Sequence, residues 1–109
     1  MLTFKGTRME ITARFENQGK TLVIDVGAKF DFSKVEAFRN AYCDLDSDVS
    51  HISVNLSRTE YMDSSALGML LNMQKSLAGR ELTYSIEDAR PQVAKILQIS
   101  RFDKKFDIK

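Results

Sequence analysis

Tyr61-Met62-Asp63-Ser64-Ser65-Ala66-Leu67-Gly68 joins two runs of opposite period and so decides how the chain must fold. Before it, Ile52-Ser53-Val54-Asn55-Leu56 is short, apolar and β-branched, as a buried strand should be. After it, apolar residues recur at helical spacing from Leu67 to Ala78. The segment is therefore expected to be a strand-to-helix loop, with Asp63, Ser64 and Ser65 at the helix start. Their short side-chain oxygens can accept from the free N–H groups of a first helical turn. On spacing alone an N-cap is the simplest reading.

Working outward, the same two periods alternate along the chain. Met9, Ile11, Ala13 and Phe15 alternate with polar residues, which predicts a strand with one face on a core. Asn17-Gln18-Gly19-Lys20 supplies turn chemistry, and Thr21 to Val26 completes a hairpin. Residues 1 to 8 show no clear period and read as an edge strand or a loose arm. Ser33-Lys34-Val35-Glu36 fits a capping box, followed by an apolar stripe of Val35, Phe38, Ala41, Tyr42 and Leu45. The run Ile52 to Leu56 should be the central strand, because helices lie on both sides of it in the chain.

The helix after the loop is expected to bury Leu67, Leu70, Leu71, Gln74, Leu77 and Ala78, with Gly79 as its C-terminal cap. Leu82, Tyr84 and Ile86 alternate as a further strand. Pro91 suits the first turn of a last helix that buries Val93, Ile96, Leu97 and Ser100. Phe102, Phe106 and Ile108 should fold back onto the core. The fold class is α/β: a small mixed sheet with helices mainly on one face and right-handed crossovers.

Composition narrows the function. At 109 residues the chain suits one domain, residues 1-109, and 43% hydrophobic with 28% charged residues is that of an ordinary globular protein. A formal charge of +1 gives no electrostatic reason to expect nucleic acid or a membrane surface as partner. No long apolar run is present, so a cytoplasmic location is the expectation. One cysteine, Cys43, excludes an internal disulfide and is read as a small filler in a helix. His51 opens a strand and has no second histidine with which to share a metal or relay a proton. With no Gly-rich phosphate loop and no nucleophile grouping around Ser64, neither an enzyme nor a cofactor is expected.

The run Leu56-Ser57-Arg58-Thr59-Glu60-Tyr61-Met62-Asp63-Ser64-Ser65-Ala66-Leu67-Gly68 resembles the signature of STAS domains, in particular of the bacterial anti-sigma factor antagonists. Gly27 with Phe30-Asp31, and Pro91, Val93 and Leu97, match the family's flanking features. There are two departures: an extra residue between Gly27 and Phe30, and Arg101 where the family usually has glycine after the last helix. An arginine strains a left-handed cap, so that helix end is expected to differ.

The resemblance implies that Ser64 is a phosphoacceptor, with Ser65 a second choice, and that Asp63 positions the neighbouring hydroxyl. It implies partner switching: capture of an anti-sigma factor, usually a serine kinase of the histidine-kinase-like ATPase fold, release on phosphorylation, and reset by a PP2C-type phosphatase. STAS-like domains also serve as non-enzymatic parts of lipid-transport assemblies and as tails of anion transporters, so a non-switched structural subunit is the alternative. Met62, Met69 and Met73 lie at or near the signature helix, and flexible thioethers suit a surface that fits more than one partner. Together with Ser65 they are candidate partner contacts; core filler is the competing reading for the methionines.

Overall fold

Leu22, Ile24 and Val26 alternate along a strand, and so do Ile52, Val54 and Leu56; all six are buried. A computed structural model, describing residues 11–43 and 45–109, places these two strands side by side in a five-stranded sheet. In chain order the strands are β1 (Thr12–Glu16), β2 (Thr21–Asp25), β4 (His51–Asn55), β6 (Thr83–Glu87) and β7 (Asp107–Ile108), and this is also their order across the sheet. β1 pairs antiparallel with β2, and the remaining pairs are parallel. β4 is the middle strand, as its flanking periods suggest.

The register aligns Ile24, Val54, Ile86 and Ile108 in one row and Leu22, Ile52 and Tyr84 in another. Those rows form the floor of the core. Helices α1 (Val35–Tyr42), α2 (Ser64–Ser76) and α3 (Pro91–Ile99) lie in the three parallel crossovers. Each crossover steps to the next strand in the same direction, and such connections are right-handed, so the helices stack on a single face. α2 buries Ala66, Met69, Leu70 and Met73, whereas α1 buries only Phe38 and Tyr42, and α3 only Val93 and Leu97. Each large side chain taken out of water contributes roughly 1.5–3 kcal/mol, so α2 is the helix most firmly held.

Several expectations need correction. All five residues of β1 are exposed, and Phe15 is 56% accessible, so the alternation there does not mark a buried face. Among the described residues β1 is one of the two edge strands, and it lies outside the strip that the helices cover. Met9 and the expectation for residues 1 to 8 fall outside the described residues. The stripe of α2 is rotated from Leu67, Leu71 and Ala78 towards Ala66, Met69 and Met73, while Leu71 and Ala78 stay exposed. Gly79 is not a left-handed cap, since among the described glycines only Gly19 has positive φ. α2 closes instead through Leu77 N–H on the Met73 carbonyl.

The first helix is not opened by a Ser33 box. Asp31 caps a 3₁₀ turn, Phe32–Lys34, that leads into α1. Arg101 does take up the left-handed cap, with φ 60° and ψ 36°, so the end of α3 keeps the geometry that glycine would allow. Cys43 is exposed, its Sγ donating to the Asn40 carbonyl at 3.6 Å, and is not a core filler.

The chain's end turns back as expected. Phe102 and Phe106 are buried and their rings stack at 5.7 Å, after which β7 adds to the sheet beside β6. On the opposite sheet face His51 reaches across from β4 to Thr83 and Ser85 of β6, at 2.6 and 2.8 Å. Ser85 in turn donates to Glu87 Oε2 at 3.0 Å, which leaves its oxygen to accept from His51 Nε2–H.

Candidate functional site

Two short strands decide where Ser64 stands. β3 (Lys29–Phe30) and β5 (Tyr61–Met62) pair in parallel as a separate two-stranded ribbon, Lys29 opposite Tyr61 and Phe30 opposite Met62. Phe30 and Met62 are buried beneath it. The loop leading into β5 is fastened to the one leading into β3. Glu60 N–H and Tyr61 N–H both donate to the Ala28 carbonyl, at 2.8 and 3.2 Å. The fully buried Thr59 hydroxyl donates to the Gly27 carbonyl at 2.9 Å.

α2 begins immediately after this ribbon. Asp63, with extended φ −125° and ψ −174°, is its N-cap. Its Oδ1 accepts from Ser65 N–H at 3.0 Å and from Ser65 Oγ at 2.5 Å, and Oδ2 accepts the Tyr61 hydroxyl at 3.4 Å. The hydroxyl that Asp63 positions is thus that of Ser65, not of Ser64. Ser65 is half-buried and bound; Ser64, the first helical residue, is exposed. Gly68 and Leu71 continue the same outward stripe down the helix, and both are exposed.

The geometry is repeated next door. Asp31, with φ −135° and ψ −174°, accepts from Ser33 N–H at 3.0 Å and from Ser33 Oγ at 2.5 Å. That hydroxyl bond holds the Asp31 carboxyl below its ordinary value near 3.8. Phe30-Asp31-Phe32-Ser33 and Met62-Asp63-Ser64-Ser65 are therefore two copies of one strand-to-helix turn, placed side by side by the β3–β5 register. Phe32 occupies in the first copy the place of Ser64 in the second. The sequence marks Asp31 only as a flanking match and Thr59 only as part of the signature run, with no role for either, and does not single out Phe32; the repeated apolar-Asp-x-Ser pattern was the available signal for Asp31 and Phe32.

Between the two turns runs a shallow groove of about 320 Å³, lined by Phe32, Val35, Ser65, Gly68, Met69 and Asn72. The methionines do not form an exposed partner surface. Met73 is 0%, Met62 4% and Met69 6% accessible, and all three belong to the core; only Met69 also reaches the groove wall. Among the described residues no group of three or more His, Cys, Asp or Glu side chains is arranged to hold a metal ion. No helix there is long and apolar enough to cross a membrane.

What this arrangement offers chemically is a free hydroxyl at the positive end of a 13-residue helix. A phosphate on Ser64 would meet the helix dipole favourably, by roughly 0.3–1 kcal/mol, and would displace no buried group.

Comparison with known proteins agrees with this architecture. Among solved structures, the anti-sigma factor antagonist SpoIIAA in its unphosphorylated form superposes with a TM-score of 0.74 at 23% identity, over 91% of this chain and 87% of its own. An anti-sigma factor antagonist from Mycobacterium paratuberculosis gives 0.71 at 20% identity, over 95% and 89%. A STAS-domain containing protein of Pseudomonas aeruginosa (strain UCBPP-PA14) is 38% identical over 100 residues, 92% of this chain and 99% of that protein. The family model described as "Mlab, STAS domain" matches residues 13–108. With a family match over nearly its whole length and a relative at this identity, the chain belongs to the STAS domain family.

Proposed function

We propose that this protein is a phosphorylation-switched binding module of a partner-switching pathway, acting as an anti-sigma factor antagonist without catalysis of its own. The observation that carries the reading is the exposed Ser64 at the start of α2, in a turn whose other polar groups are already engaged. Unphosphorylated, the α2 start docks on an anti-sigma factor, itself a serine kinase of the histidine-kinase-like ATPase fold. That kinase phosphorylates Ser64 and is released, and a PP2C-type phosphatase restores the hydroxyl. Both steps take place in the cytoplasm.

The energetics suffice. A phosphate adds about −1.5 to −2 charges at neutral pH. If the partner carries a carboxylate about 5 Å away, each added charge costs roughly 3 kcal/mol at an effective dielectric near 20. Inverting a two-state occupancy from 1:99 to 99:1 requires about 5.5 kcal/mol, which one modification at the centre of an interface supplies.

Ser64→Ala should hold the kinase partner constitutively, and Ser64→Asp should lose it, both with the parental melting temperature. Intact-mass measurement of the protein from the cells that make it should show a single phosphate on Ser64. If both variants bind like the parent, Ser64 is only a cap. A phosphate-free chain that co-purifies with a transport ATPase would instead identify a non-switched structural subunit.

A further inference from the structure

The duplicated turn gives the switch a second, constant element. We propose that Phe32 is an aromatic anchor for the same serine kinase that modifies Ser64, seated in a docking groove between the starts of α1 and α2; this rests on the function proposed above.

Phe32 is 72% exposed, the highest value among the large hydrophobic side chains described. The turn itself explains why it points outward: the residue after the capping aspartate leads away from the core in both copies, as Ser64 shows. Nothing in the packing of the domain calls for an aromatic ring there, and a polar residue would satisfy the turn equally well. Scattered exposed apolar residues are ordinary on a protein surface, but these are not scattered. Of the five large hydrophobics left exposed among the described residues, Phe32, Tyr61 and Leu71 flank the start of α2 or follow its outer stripe.

The occupant follows from reach. Paired strands stand about 4.8 Å apart, and Phe32 and Ser64 each lie two residues beyond the last β3–β5 pair. A kinase that transfers phosphate to Ser64 must cover the start of α2, and a protein seated there covers Phe32 as well. The groove beside the ring is open: a methyl group built on Gly68 meets no atom within 4 Å, so an apolar side chain of the partner has room to enter next to Phe32. Aromatic anchors in such positions dominate interface energies. Phe32 has no hydroxyl to modify, so this half of the surface stays constant while Ser64 changes charge beside it.

The test compares Phe32→Ala, Phe32→Tyr and Ile99→Ala with the parent, each expressed in the cells that make the protein. Ile99, 71% exposed on α3, is the control for loss of an exposed apolar side chain. The readouts are Ser64 phosphate occupancy by intact mass and melting temperature on the purified chain. The expected result is occupancy reduced by about tenfold or more in Phe32→Ala, recovery in Phe32→Tyr, parental occupancy in Ile99→Ala, and unchanged melting throughout. Parental occupancy in Phe32→Ala overturns the anchor and leaves the switch standing. Sedimentation of the isolated chain is the second measurement: self-association lost in Phe32→Ala, with occupancy unchanged, assigns the groove to a second copy and overturns the proposal. A parent that never carries phosphate removes the switch and this inference with it.

Discussion

Replacing Asp63 by alanine should be among the more damaging single changes at the surface of this domain. The substitution removes the acceptor for Ser65 N–H at 3.0 Å and for Ser65 Oγ at 2.5 Å, together with a long contact to the Tyr61 hydroxyl. Loss of an N-cap oxygen typically costs about 1 kcal/mol and up to about 2. Removing negative charge from the positive end of a helix adds roughly 0.3–1 kcal/mol. The exposed tyrosine contact is too long to add much, so the total is about 1.5–3 kcal/mol. For a domain of this size 1 kcal/mol moves the midpoint by about 4–8 °C, which gives a fall of roughly 6–24 °C.

Asp63→Asn keeps the oxygen and loses only the charge, so it should cost about 0.3–1 kcal/mol. Asp31→Ala removes the same cap from a three-residue turn with no buried residue, and should cost less than Asp63→Ala. Urea unfolding at a common m-value, with thermal melts by circular dichroism, measures all three. An Asp63→Ala midpoint within about 2 °C of the parent, or equal losses for the two alanine variants, would refute the view that this cap organises the central helix.

Arg101 holds φ 60°, a conformation that costs an L-residue roughly 1–2 kcal/mol, part of which glycine gives back through its freer unfolded chain. Arg101→Gly should therefore raise stability by about 0.5–1 kcal/mol, and a lower melting temperature would contradict the strain. Met73→Gln places an amide where the side chain is fully enclosed, and should destabilise by at least about 1–3 kcal/mol; a parental melting temperature would return Met73 to the surface. Burial holds the His51 imidazole below its ordinary value near 6.5, with Lys109 acting the same way and Glu87 and Asp107 opposing. The unfolded chain then takes up this proton first, so the contribution of His51 is full above about pH 6.5 and is lost as pH falls through the lower folded value. His51→Gln should flatten the decline in urea stability over that interval, and identical slopes in parent and variant would count against it.

Strands β2, β4 and β6 and all three helices are legible from their periods, because each buries one face over enough residues for a period to show. β3 and β5 are two residues each and leave no period to read. On α2 the leucines draw attention to the wrong side: hydropathy ranks Leu71 above Ala66, but Ala66 is the residue that is fully buried. Two overlapping caps compete before α1, Asp31 with Ser33 and Ser33 with Glu36, and the aspartate wins because it stands directly at the end of β3. At the site, Ser64 is marked by its resemblance to the STAS signature. Phe32 is signalled only by comparing Phe30-Asp31-Phe32-Ser33 with Met62-Asp63-Ser64-Ser65, since one aromatic residue by itself has neither spacing nor a chemical partner to identify it.

The ribbon of β3 and β5, with Thr59 stitched beneath it, rivets the base of Ser64 to the neighbouring crossover. A charge placed on that serine finds little slack backbone to pull. On the function proposed above, modification would therefore work as a stamp on the outside of the molecule and not as a lever within it, and whatever reads the stamp would do so by touch.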